Sequence, residues 1–170
     1  MRAKLARFVR KEFDESMARR FPLFLKVTDH DVVSTGNFLY RSKISGDLYG
    51  FVRLQFHKHK DGFTLNVMRS HDQNCGTPRE NLLLARYSTR VRIQNLWGQS
   101  TEFWFMLPDD LEYVRSLDPQ TITEYRRATF FATKKEVDQD DIGIMKTFVD
   151  DAIASIEKYV IPYLRDGRGA

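Results

Sequence analysis

Between Tyr49 and Arg69 the chain alternates strictly. Val52, Leu54 and Phe56 are interleaved with Arg53, Gln55 and His57, and Phe63, Leu65 and Val67 with Thr64, Asn66 and Met68. Successive side chains of an extended strand point to opposite faces, so each run offers one apolar and one polar face. The connection Lys58-His59-Lys60-Asp61-Gly62 ends in Asp-Gly, a turn signal because glycine tolerates positive φ. The pattern predicts a β-hairpin whose apolar face packs beneath helices and whose polar face meets water.

A period of 3.6 replaces the period of two at both ends of the chain. Leu5, Phe8, Val9, Phe13 and Met17 predict an amphipathic helix over residues 3–20, closed by Pro22, because the residue before a proline is pushed out of the α region. Met145, Phe148, Val149, Ala152, Ile153, Ile156, Val160 and Leu164 trace a second helical stripe over about 141–161, with Pro162 near its end. Asp138, Asp140 and Asp141 sit where an N-terminal cap and favourable first-turn charges belong. Phe21, Leu23, Phe24, Leu25 and Val27 read as an apolar patch locking the first helix to the sheet.

Further strands are expected at residues 36–42, 90–93 and 101–107, with a turn at Ser45-Gly46-Asp47 and Trp97-Gly98 between the last two. Residues 70–80 read as a long polar loop, Asn81 to Ala85 as a helical turn, and Pro108 to Val114 as a short helix. Thr121 to Thr133 fits strand and helix equally. The order is helix, meander, helix. It predicts one α+β domain over residues 1–166, a single antiparallel sheet with the N- and C-terminal helices on one face, and a disordered tail at 167–170.

Composition narrows the classes. A hydrophobic content of 42% is that of a folded chain. No apolar run is long enough to cross a bilayer, and no apolar stretch follows Met1 as in a secretory signal. The single cysteine, Cys75, excludes an internal disulfide and fits a reducing cytoplasm. The net charge of +4 conceals an asymmetry: residues 1–92 hold 18 Lys and Arg against 9 Asp and Glu, and residues 93–170 hold 9 against 14. Such an imbalance marks either two halves that neutralise each other, the preferred reading, or a basic surface directed at a partner. Docking of the basic first helix to a membrane is a weaker alternative.

Catalytic signatures are scarce. His57 and His59 have a strand-like ligand spacing, with His71, Asp72 and Cys75 as further candidates, but a zinc site needs three or four ligands and Lys58 and Lys60 oppose a cation. Cys75 with His71 lacks any sign of an activated thiol. Asp29-His30-Asp31 has no calcium-loop spacing, and there is no phosphate-cradling glycine motif or Ser/His/Asp signature. The expectation is a chain that is not an enzyme and holds no metal or cofactor. The polar face is the better candidate. Arg53, Gln55, His57, Thr64 and Asn66 are neighbours across the hairpin, Arg90 and Arg92 share one side of a later strand, and Trp104 with Tyr40, Phe51 and Tyr87 adds aromatic surface. Arginine and aromatic residues anchor protein interfaces, and they also contact phosphates and stack on bases.

Three segments, Gly36-Asn37-Phe38-Leu39-Tyr40-Arg41, Val52-Arg53-Leu54-Gln55 and Gly62-Phe63-Thr64-Leu65-Asn66-Val67, together resemble the bacterial domain-of-unknown-function family 4304. The likeness covers residues 1–107, and the family's Trp-rich strand would fall on Glu102-Phe103-Trp104-Phe105. It implies an α+β fold and brings no catalytic residues. The expected function is therefore recognition of another protein by a non-catalytic immunity or adaptor domain. Nucleic-acid binding by the basic polar face is the alternative.

Overall fold

A computed structural model describes residues 1–28, 37–57, 61–73, 88–96, 105–107 and 136–166. In chain order these form helix α1 (Ala3–Arg20), strands β1 (Leu25–Lys26), β2 (Asn37–Ser45), β3 (Leu48–Phe56), β4 (Gly62–Ser70) and β5 (Ser88–Arg92), and the short helix α2 (Ile93–Leu96). Strand β6 (Phe105–Met106) and helix α3 (Gln139–Ser155) follow, then a π-helical turn at Ile156–Val160 and helix α4 (Ile161–Asp166). The class is α+β. The segments Pro108 to Val114 and Thr121 to Thr133, with residues 167–170, lie outside the described residues.

The sheet is antiparallel in the order β1-β2-β3-β4-β5, and β6 also pairs with β4. The predicted hairpin forms with Leu54 opposite Leu65, Val52 opposite Val67 and Phe56 opposite Phe63. Gly62 itself opens β4 opposite Met106, and among the described residues positive φ falls on Gly46, at 51°, in the β2–β3 turn. There the chain needs a residue without a Cβ penalty.

α1 and α3 pack side by side on the face of Val52, Leu54, Leu65 and Val67. Leu5, Val9, Phe13 and Met17 of α1 and Met145, Val149, Ala152 and Ile153 of α3 are buried there. Both stripes follow the expected spacing. α1 stops at Arg20, and the Phe21 N–H closes the last turn on the Met17 carbonyl. Asp138 caps α3 by accepting from the Asp141 N–H at 2.8 Å, as its position in the sequence implies.

Pro162 does not end the C-terminal helix. A proline ring clashes with the carbonyl four residues back and offers no N–H to it. The π turn just before it widens the backbone spiral, with the Ile161 N–H reaching Ile156, so helical structure continues through the proline to Asp166. This keeps Leu164 on the sheet, where its Cδ1 would lie 2.8 Å from a Cβ placed on Gly50. A side chain at position 50 would have to push Leu164 and Ile44 aside.

The charge asymmetry is partly closed across this helical layer. Arg2 binds Asp61 of the hairpin connection at 2.5 Å and Asp141 of α3 at 2.8 Å, all three being largely buried. Arg20 pairs with Glu157 at the other end. The basic first helix lies against the acidic last one, and the Arg2–Asp141 and Arg20–Glu157 pairs join the two halves there.

Candidate functional site

Strand register assembles the expected residues on the sheet face away from α1 and α3. One row runs Leu39, Arg53, Asn66, Arg92 across four strands, and a second runs Arg41, Phe51, Met68, Arg90. Gln55 and Thr64 face each other in the next row. Sequence periodicity thus places Arg53, Gln55, Thr64 and Asn66 together, with Arg90 and Arg92 at matching register positions. Trp104 lies outside the described residues.

This face does not meet water as a polar strand pattern implies. Thr64 and Asn66 are 0% exposed, and Arg53, Gln55 and His57 are half-buried. Leu39, Phe51 and Met68 form a second apolar cluster on it, flanked by Val27 and Tyr49. A polar group taken from water needs a partner, and Asn66 meets the demand by donating to Gln55 Oε1 at 2.8 Å. Thr64 Oγ1 is buried and has no hydrogen-bond partner among the described residues. On the outer edge of β4, β6 pairs with Gly62 and Phe63 and β5 with Asn66 to Ser70, so Thr64 falls between the two ladders.

The histidines separate. His57 follows the end of β3, and its backbone N–H donates to the Gly62 carbonyl at 2.8 Å, closing the hairpin. His71 sits at the opposite end of the sheet, 2.9 Å from the exposed Asp47 carboxylate, and its hydrogen bond holds Asp47 below the usual carboxylate range. Opposite ends of the hairpin cannot supply one metal site from these two residues. His59, Cys75 and the Asp29-His30-Asp31 cluster lie outside the described residues.

The residues that sequence reading misplaced are at the sheet's edge. Of the apolar patch between α1 and β2, only Phe24 is buried. Leu23 is 79% exposed and Leu25 is 67% exposed. Leu25 stands opposite Arg41, and Val27, two residues on, packs against the second cluster. Leu25 and Val27 therefore lie on one side of the edge strand and Lys26 on the other, while Leu23 sits in the turn before it, closed by the Phe24 N–H on the Phe21 carbonyl at 2.8 Å. Within an all-apolar segment the sequence does not mark where the turn ends and the strand begins.

On the opposite side of β1, Asp14 of α1 accepts from both the Tyr40 hydroxyl and the Lys26 ammonium. Burial, and then the Asp14 carboxylate, push the Tyr40 phenol well above its ordinary range. This polar knot anchors the edge strand to α1. Searches with the chain against family models, curated proteins and solved structures find no match.

Proposed function

We propose that this chain is a non-catalytic protein-binding domain of the immunity or adaptor kind, acting in the cytoplasm by covering a functional surface of another protein. The supporting observation is the exposed leucine pair Leu23 and Leu25, held at the sheet edge beside the buried Phe24. Neighbouring exposed apolar side chains on an ordered edge are a feature of recognition surfaces. No helix among the described residues is long and apolar enough to cross a membrane. Co-expression and pull-down with the products of adjacent genes tests the reading: a co-purifying partner whose activity falls when bound is expected. If no partner is retained, the reading fails.

A second reading draws on the register that aligns Arg53, Arg90 and Arg92 on one sheet face. It is nucleic-acid binding, with an affinity that falls steeply with salt as counterions are released. Replacing these three arginines with alanine should weaken that binding and flatten its salt dependence. The half-burial of Arg53 and the full burial of Asn66 weigh against it.

A further inference from the structure

We infer that the partner docks as an extended strand along the outer edge of β1, and that this strand carries alternating apolar residues and a net negative charge. The inference rests on the protein-binding reading and names its site and mode.

Main-chain geometry comes first. In an antiparallel ladder, residues bonded to the neighbouring strand alternate with residues whose N–H and C=O point the other way. The Val27 N–H donates to the Leu39 carbonyl at 2.8 Å, and the register places Leu25 opposite Arg41 and Lys26 opposite Tyr40. Residues 25 and 27 thus face β2, and the peptide groups of Lys26 face outward. Among the described residues no strand pairs with that side. An incoming strand would find the Lys26 N–H and C=O there, with Leu25 on the strand and Leu23 in the turn before it as apolar contacts.

Charge selects the occupant. Lys26 and Arg20 are neutralised by Asp14 and Glu157. Arg41 is not: it donates to the Gln73 carbonyl at 2.7 Å and lies over the Tyr49 ring, and neither contact cancels its charge. Exposed Lys43 follows two residues later on the same face. Two copies of this chain joined edge to edge would bring Arg41 and Lys43 of each near their counterparts. An acidic strand gains where a second copy is repelled.

The test uses a display library of random twelve-residue peptides selected on the whole chain. Selected peptides should alternate apolar residues, carry net negative charge, and bind Leu23→Ser/Leu25→Ser about tenfold or more weakly, as the loss of two apolar contacts implies. Lys26→Pro, which removes the outward N–H, should weaken them beyond the Lys26→Ala control. Circular dichroism should show Leu23→Ser/Leu25→Ser folded, since both leucines are exposed, and the Lys26→Ala control carries the loss of the Asp14 pair that Lys26→Pro shares. Four results would overturn the inference: no selected peptide, selected peptides without acidic enrichment, binding unmoved by the edge variants, or self-association of the chain blocked by the same variants. A genuine partner retained equally by Leu23→Ser/Leu25→Ser would sink the edge site and leave the protein-binding reading intact. No partner at all would sink that reading.

Discussion

The two faces of the sheet have similar exposure and different chemistry. Beneath α1 and α3 the strands present Val52, Leu54, Phe63, Leu65 and Val67, and the helices answer with side chains of the same kind. On the far face Leu39, Phe51 and Met68 are as deeply buried, yet Thr64 and Asn66 share their plane. A uniformly apolar face needs only shape to be satisfied. A mixed face must also pair every polar atom it hides, and Thr64 Oγ1 shows that this one falls short.

Truncating the helix-side core should have the largest effect. Phe13 is fully buried and its ring lies 5.6 Å from that of Tyr40. Phe13→Ala should cost about 3–5 kcal/mol in urea unfolding. Gln55→Ala on the far face, which removes the acceptor of the Asn66 amide, should by contrast cost only about 1 kcal/mol. Equal losses would break the distinction between the faces.

Gly50→Ala comes next. The added methyl would meet Leu164 and Ile44 side chains within 3.1 Å, and overpacking of this kind costs about 1–3 kcal/mol. The lesion should loosen α4 first, as faster amide exchange at residues 161–166.

Tyr40 joins the helix-side face to the edge strand, and its titration reads that junction. Its folded pKa is raised, so its contribution to stability is complete below the unfolded value of about 10 and is lost as pH rises above it. Stability should fall by roughly 1.4 kcal/mol per pH unit beyond pH 10 from this group alone. Tyr40→Phe should remove that slope at constant salt. An unchanged slope would show that the hydroxyl is already hydrated.

The smallest effect carries the opposite sign. Thr64→Val keeps shape and deletes an unpaired hydroxyl, so it should be neutral or stabilising by up to about 1 kcal/mol. A clear loss of stability would mean that Thr64 is satisfied and that the far face is paired as completely as the near face.

Both helices, the hairpin and its register were legible because their periods are clean and long. Asp138 was legible as a cap for the same local reason. The continuation of α4 through Pro162 was not, because the π turn that permits it leaves no mark of its own in residue types. Nor was the burial of Thr64 and Asn66: a period of two separates faces without telling how many are covered. The docking edge was hidden differently. Phe21 to Val27 is apolar nearly throughout, and hydrophobicity alone cannot separate Phe24, which points inward, from Leu23 and Leu25, which do not.

The Arg2 clasp has a consequence for synthesis. Its two carboxylate partners are 59 and 139 positions downstream, and the second belongs to the helix that closes the core beside α1. A ribosome adding roughly 5–20 residues per second needs on the order of ten seconds to cover that distance. During the wait the meander has left the tunnel with its apolar face capped by at most one helix. That open apolar face is covered only when α3 arrives.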